Sequence, residues 1–124
     1  MKTYGVILAA GDSTRFDAEV SKLFYKVNGK ELVLYPVETF LDNNEIDEVL
    51  LVSSESNKSA LEKLLSEHQS VSIILGGDSR QESEYCALQY LQDKATDNCL
   101  IVIHDAARSF MSSELLTSLV NTAK

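Results

Sequence analysis

Short, continuous apolar runs alternate with apolar residues at helical spacing along this sequence, and that alternation constrains the fold more than any other feature. The runs carry Val, Ile and Leu without polar alternation, which is typical of strands covered on both faces, as in a parallel sheet. They predict four strands: Gly5–Ala10, Glu48–Ser53, Val71–Leu75 and Cys99–His104. The longest apolar run, Val6–Ala10, is far shorter than the roughly 18 residues that a membrane span needs.

Apolar residues at helical spacing follow each predicted strand. Pro36 suits the first turn of the first helix, Ser56 or Asn57 would cap the second, and Ser112 would cap the fourth. The repeated strand–helix order predicts right-handed crossovers and an open, three-layer, mostly parallel α/β sheet. The predicted apolar stripes are Leu34, Val37, Phe40 and Leu41; Leu61, Leu64 and Leu65; Tyr85, Leu88 and Leu91; and Leu115, Leu116, Leu119 and Val120.

Composition narrows the class of protein. The chain has 124 residues, which suits a single domain, and 44% of them are apolar, which suffices for one modest core. A formal net charge of -8 argues against a nucleic-acid partner, which needs a basic surface. The two cysteines, Cys86 and Cys99, suit small apolar fillers in a reducing compartment, and the absence of a recognisable signal peptide predicts a cytoplasmic protein.

The link between the first strand and the first helix is unusually long. It runs from Gly11 to about Leu32, whereas most such links take about 2–6 residues, and long links are usually functional. Asn28-Gly29, between two lysines, predicts a tight turn inside it.

Polar and glycine-rich residues cluster after three of the four strands. Ligands of open α/β sheets bind outside the carboxyl ends of the strands, so this coincidence predicts a ligand site. The clusters are Ala9–Phe16 with Lys22, Gly76–Arg80, and His104–Arg108.

The first cluster suits phosphate. Small residues would let backbone N–H groups approach it, while Arg15 could grip its oxygens and Lys22 could add a mobile charge. The spacing matches neither a P-loop nor a dinucleotide fingerprint. A plain turn with surface cations is the alternative.

In the second cluster, glycines would allow close backbone approach to a flat base or a ribose, and Asp78 with Ser83 could read its polar edge. The alternative is structural: Asp78 followed by Gln81 resembles a capping box, with Arg80 merely solvated.

Asp105, in the third cluster, follows an apolar strand end, where a lone carboxylate is costly unless it meets a cation or donors. Magnesium held between this carboxylate and substrate phosphates would satisfy it, and an Asp105–Arg108 pair is the alternative. His104 is expected to be a packed neighbour rather than a metal ligand.

Together, Leu8–Phe16, Lys22, Gly76–Arg80 with Ser83, and His104–Phe110 resemble the successive motifs of the methylerythritol phosphate cytidylyltransferase family and of the related ribitol phosphate cytidylyltransferases. The resemblance implies a Rossmann-like nucleotidyltransferase fold, incomplete at its C-terminus. Residues 1–124 would then be a single nucleotide-binding α/β domain or a fragment of a longer cytidylyltransferase domain.

The resemblance also implies a reaction: CTP and a polyol phosphate, 2-C-methyl-D-erythritol 4-phosphate, form a CDP-polyol and pyrophosphate. Arg15 and Lys22 would be catalytic, Asp105 would bind Mg²⁺ or another divalent cation, and the full-length protein would be a homodimer without membrane or nucleic-acid partners. The nucleotide-binding residues that it implies are Ala9, Ala10, Gly11, Asp12, Ser13, Gly77, Asp78, Ser83, Asp105 and Ala106.

The sequence departs from the family pattern in three positions and in length. Ser13 stands where the family usually has glycine, and Ser21 and Ser109 stand where it usually has proline. Members are about twice as long, and the other half normally supplies a second metal carboxylate, a second lysine, much of the polyol phosphate site and a dimerisation arm. Three alternatives therefore stay open: a ribitol phosphate enzyme, a non-catalytic nucleotide-binding remnant, and a different nucleotidyltransferase such as a sugar-nucleotide pyrophosphorylase or a molybdenum-cofactor guanylyltransferase.

Overall fold

A computed structural model describes residues 2–9, 24–68, 70–77, 79–92, 94, 99–106 and 113–123 of the chain. Strands and helices alternate in it as the apolar pattern predicts. In chain order the elements are β1 (Lys2–Ala9), β2 (Lys26–Val27), β3 (Lys30–Glu31), α1 (Leu34–Asp42), β4 (Glu48–Ser53), α2 (Glu55–Leu64), β5 (Val71–Leu75), α3 (Arg80–Gln92), β6 (Cys99–Asp105) and α4 (Ser113–Ala123).

The main sheet has the strand order β5-β4-β1-β6, and all its described pairs are parallel. The predicted bounds of β4 and β5 are confirmed. β1 begins earlier than predicted, at Lys2, because Lys2 and Thr3 pair with Cys99 and Leu100 of β6. The Thr3 amide also donates to Asp47 Oδ2 at 2.7 Å, which fixes the amino end of the strand.

Side chains of alternate sheet positions form two apolar clusters, one on each face. The first packs α1, α2 and α4 against one face, with Ile7, Phe40, Leu51 and Leu116 among its fully buried members. The second packs α3 against the opposite face through Ala87 and Leu91. These clusters confirm the predicted three-layer α/β architecture.

The predicted turn at Asn28-Gly29 closes a small hairpin formed by β2 and β3. Both turn residues have positive φ, 55° and 80°, which is the backbone that an Asn-Gly pair adopts readily in a two-residue hairpin. Two bonds attach the hairpin to α1: Tyr35 Oη donates to the Val27 carbonyl, and Lys30 Nζ lies 2.5 Å from Glu38 Oε1. The hydrogen bond that Lys30 donates to Glu38 raises the pKa of Lys30.

The cap predicted for α2 at Ser56 or Asn57 is wrong by two or three residues. Ser54 is the cap, and its Oγ accepts from the Asn57 amide at 3.2 Å. The helix begins directly where β4 ends, so the first available hydroxyl after the strand takes this position. Ser112, the predicted cap of α4, lies outside the described residues.

β6 lies at one edge of the sheet, with β1 as its neighbour among the described strands. Its apolar residues Leu100–Ile103 are only half-buried. A shallow groove of about 320 Å³ between β6 and α3 is lined by Tyr85, Leu88 and Ile101, among others. Within the described part of the chain, no helix is long and apolar enough to cross a membrane.

Candidate functional site

The carboxyl ends of the four parallel strands lie at one edge of the sheet. Leu8 pairs with Asp105, Ala9 pairs with Ser53, and Ser53 pairs with Leu75. The chain moves outward from β1 through β4 to β5 and then returns to the other side of β1 as β6. The strand order therefore reverses between β1 and β6, and such a reversal opens the crevice in which α/β sheets bind ligands.

Asp105 lies at this reversal, on the face that α3 covers. Its Oδ2 is 3.0 Å from Nη1 of Arg80, the first residue of α3. Arg80 Nε also lies 3.0 Å from Glu84 Oε2, one helical turn along. The interpretation of Arg80 as merely solvated is therefore wrong, because the folded chain gives it two carboxylate partners.

Arg80, Glu84 and Asp105 form a charged cluster at the strand reversal. The sequence indicates one of its two ion pairs. The four-residue spacing of Arg80 and Glu84 is that of a helical ion pair. Asp105 is 25 residues away, and only the packing of α3 across the sheet brings it to Arg80. Arg108, the partner considered for Asp105 in the sequence, lies outside the described residues.

The loop between β5 and α3 is held to the sheet and to its own helix. The Gly76 amide donates to the Ser53 carbonyl at 2.8 Å, so the loop crosses the carboxyl end of β4. The Glu82 amide donates to Ser79 Oγ at 3.1 Å. The cap bond observed at the start of α3 is thus made by Ser79, one residue after the predicted Asp78, which lies outside the described residues.

Gly77 and Ser83, both predicted to contact a base, contact each other. The Gly77 amide donates to Ser83 Oγ at 3.2 Å, and Ser83 is buried. This bond leaves the hydroxyl hydrogen of Ser83 to serve as a donor, since a hydroxyl both donates and accepts. A Cβ at Gly77 would overlap Cβ of Glu82 and lie 3.0 Å from its Oε2, so packing inside the loop already requires glycine here.

Ala9 and Ala106 lie at the site edge with their side chains in the core. Both belong to the cluster on the α1 face, with exposed fractions of 4% and 1%. The Ala106 amide donates to the Leu8 carbonyl at 2.9 Å, which continues the ladder between β1 and β6 by one bond. Any ligand contact by these residues would therefore be made by the backbone.

His104 precedes Asp105 and points to the opposite face of the sheet. It is buried, and its ring centroid lies 6.0 Å from that of Phe40 in a tilted arrangement. The prediction of a packed histidine is confirmed. Cys86 and Cys99 are free thiols and half-buried, with Cys99 packed against the cluster on the α3 face.

Several predicted site residues lie outside the described residues, and their roles stay predictions. Arg15 and Lys22 are the two candidate catalytic cations among them. The others are Ala10, Gly11, Asp12, Ser13 and Asp78.

Asp105 is the described residue that fits the predicted divalent cation. The described ranges contain no group of three or more His, Cys, Asp or Glu side chains that could enclose a metal. Magnesium does not need one, because it commonly takes one or two carboxylates together with substrate phosphates and water. A single half-exposed carboxylate at the sheet reversal fits that donor set.

The strand order, with helices on both faces, defines an open α/β domain with a ligand crevice at the strand reversal. The family model that describes 2-C-methyl-D-erythritol 4-phosphate cytidylyltransferase, IspD, matches residues 4–124. The chain belongs to this family.

Known proteins of this family and a related enzyme resemble the chain in sequence, and a solved structure of the family resembles it in fold. The enzyme of that name from Petrotoga mobilis is 35% identical over 98% of this chain and 54% of its own length. The bifunctional ribulose 5-phosphate reductase/CDP-ribitol pyrophosphorylase Bcs1 of Haemophilus influenzae is 32% identical over 96% of the chain. The crystal structure of IspD from Francisella tularensis superimposes with a TM-score of 0.77 at 27% identity, covering 98% of this chain and 52% of that one.

The chain thus spans about half the length of Petrotoga mobilis and Francisella tularensis IspD. These similarities confirm the family resemblance and the nucleotidyltransferase fold expected from the motifs.

Proposed function

We propose that residues 1–124 form the nucleotide-binding half of a cytidylyltransferase that joins CTP to 2-C-methyl-D-erythritol 4-phosphate, as in isoprenoid precursor biosynthesis. The observation that carries the proposal is the family match over residues 4–124, combined with the charged cluster at the strand reversal. The cytoplasmic location predicted from the sequence stays a prediction, and so does the homodimer that the family resemblance implies for the complete protein.

In this proposal a phosphate oxygen of the polyol phosphate attacks the α-phosphorus of CTP, and pyrophosphate leaves. The attacking oxygen is already anionic at neutral pH, so the protein needs no general base and contributes positioning and charge neutralisation. Arg15 and Lys22 would bind the triphosphate and neutralise the charge that develops on it. Residues Ala9–Ser13 would surround the phosphates with backbone N–H groups.

The cytidine would lie between the β5–α3 loop and the end of β6. Ser83 is buried with its hydroxyl hydrogen available as a donor, and the Gly77 amide is bonded to its Oγ. The family resemblance assigns Gly77, Asp78 and Ser83 to the base edge. Asp105 and the Ala106 backbone would lie at the ribose. When bound, Mg²⁺ would offset phosphate charge, with Asp105 as its protein ligand.

Ribitol phosphate is the second candidate acceptor, and the similarity to the CDP-ribitol pyrophosphorylase of Haemophilus influenzae supports it. A non-catalytic nucleotide-binding remnant is the third candidate. Acceptor choice separates the first two candidates, and turnover separates both from the third.

A pyrophosphate-release assay tests these candidates directly. The full-length gene product that contains these residues is incubated with Mg²⁺, CTP and either 2-C-methyl-D-erythritol 4-phosphate or ribitol 5-phosphate, with the Petrotoga mobilis enzyme as the active control. The 124-residue chain alone is expected to be inactive or weak. Release with one acceptor identifies the reaction. CTP binding without release supports the remnant, and neither binding nor release contradicts the proposal.

The chain is expected to prefer CTP over ATP and GTP. A purine would leave the Ser83 and Asp78 groups without their partners, and one buried polar group left unpaired costs about 1–3 kcal/mol, which corresponds to roughly 5- to 150-fold in affinity. Isothermal titration calorimetry with the three nucleotides at equal Mg²⁺ measures this preference.

Two serine variants test whether the preference for CTP arises at the candidate site. Ser83→Ala should reduce the preference for CTP, whereas Ser66→Ala, an exposed serine beyond α2, should keep it. Equal affinities for all three nucleotides in the unmodified chain would contradict cytidine recognition.

A further inference from the structure

The Arg80 side chain lies at the candidate site, and the reaction proposed above assigns it no role. It reaches from the first turn of α3 to the carboxyl end of β6, and it divides its guanidinium between Asp105 and Glu84 at 3.0 Å each. Its position is fixed by the anchored loop before it, in which Gly76 bonds to Ser53 and Ser79 caps the helix.

Arg80 and a divalent cation would bring the same sign of charge to the same carboxylate. The negative charge of Asp105 would repel an incoming triphosphate, in a chain whose net charge is already -8. An arginine held at this carboxylate reduces that repulsion before any metal arrives. It must also yield some or all of the carboxylate when the metal binds.

We propose that Arg80 is the built-in counterion of Asp105, and that competition between Arg80 and the divalent cation sets how strongly nucleotide binding depends on magnesium. Glu84 takes part in this competition, because it offers Arg80 an alternative carboxylate partner within the same helix. The inference rests on the proposed function for its nucleotide. Its metal competition can be measured without one.

The pair is weak enough for such an exchange. The Arg80 and Asp105 side chains are 57% and 36% exposed, and ion pairs with that degree of exposure change equilibria by only about two- to fivefold. A metal held jointly by Asp105 and nucleotide phosphates can displace a partner of that strength. A fully buried pair could not exchange in this way, because separating its charges would be too costly.

Opposite changes are expected from removing Arg80 and from removing Glu84. In Arg80→Gln the metal no longer competes with Arg80 for Asp105, so the ratio of CTP affinity with Mg²⁺ to CTP affinity in EDTA should rise about two- to fivefold. In Glu84→Gln the Arg80 guanidinium loses Glu84 and keeps Asp105 of its two carboxylate partners. Arg80 should then compete more strongly with the metal, so the ratio should fall. Lys58→Gln breaks an exposed ion pair with Glu62 on α2 and should leave the ratio unchanged.

The test has one arm without nucleotide and one with it. In the first arm, Mn²⁺ alone is titrated into each 15N-labelled chain, and the paramagnetic relaxation of the Ala106 amide reports occupancy at Asp105. The expected order of affinity is Arg80→Gln above the unmodified chain above Glu84→Gln, with no effect in Asp105→Asn. In the second arm, calorimetry measures CTP affinity with Mg²⁺ and with EDTA in the same variants.

The two arms separate the two proposals. Equal Mn²⁺ affinities in all the Arg80 and Glu84 variants, or weaker binding in Arg80→Gln, would overturn the counterion role even if CTP binds. The expected Mn²⁺ order without any CTP binding would support the counterion role and contradict the proposed function. A purely structural role for Arg80 would lower affinity in both variants and would not produce changes of opposite sign.

Discussion

Replacing Asp105 with asparagine is expected to weaken magnesium-dependent CTP binding at least about 10- to 100-fold. Loss of a residue that only supports a metal ligand already costs metal sites about that much, so loss of the ligand itself should cost no less. Without magnesium the loss of CTP affinity should disappear. Asparagine removes a negative charge facing the triphosphate, so in EDTA the variant should bind CTP as well as the unmodified chain or better.

Calorimetry of the Asp105→Asn chain in Mg²⁺ and in EDTA checks both halves of this prediction. Glu62→Gln is the matched control, because it removes the same charge from an exposed carboxylate on α2. Folding should hardly change, since the pair with Arg80 is largely exposed and is worth at most about 1 kcal/mol. An equal loss of CTP affinity in both buffers would show that Asp105 does not act through the metal.

The sequence predicted those parts of the fold that depend on local pattern. β4 and β5 have their predicted bounds because each is a short segment rich in Val, Ile and Leu without regular polar alternation. The Asn28-Gly29 turn followed from the backbone conformations that those two residues tolerate. The order of strands in the sheet was not predicted, because it depends on which face each crossover helix covers.

Features that depend on packing between residues distant in the sequence were not predicted. Arg80 and Asp105 are neighbours only because α3 crosses the face of the sheet on which Asp105 lies. The requirement for glycine at position 77 was assigned to a ligand, whereas Glu82 of the same loop–helix segment already imposes it. Sequence patterns locate polar residues at strand ends, but they do not show which of these side chains meet.

The sequence therefore predicted where the candidate site lies, but it predicted few of the contacts between its side chains. Its edge of the sheet follows from where parallel strands end, and Asp105 lies there as expected. The roles of Arg15 and Lys22 stay predictions, since both lie outside the described residues.

Phe40→Ala is expected to lower the free energy of unfolding by about 3–5 kcal/mol, the usual cost of deleting a buried aromatic ring. The Phe40 side chain is fully buried at the junction of α1 and the main sheet. It lies directly over Gly5 of β1, where a Cβ would overlap the ring and come within 2.7 Å of Cε2. Gly5→Ala alone should therefore overpack the core and cost about 1–3 kcal/mol.

Combining the two substitutions should reverse the sign of the glycine effect. With the ring gone, the new methyl group at position 5 enters the cavity that Phe40 occupied, so Gly5→Ala should stabilise the Phe40→Ala chain. Ile46 Cγ2 would lie 3.1 Å from the new methyl carbon, which limits this gain, but it is the end of a side chain that can shift. Urea unfolding of the four chains of the double-mutant cycle measures the coupling. If Gly5→Ala destabilises both backgrounds equally, then backbone conformation, and not the approach of the Phe40 ring, requires glycine at the centre of β1.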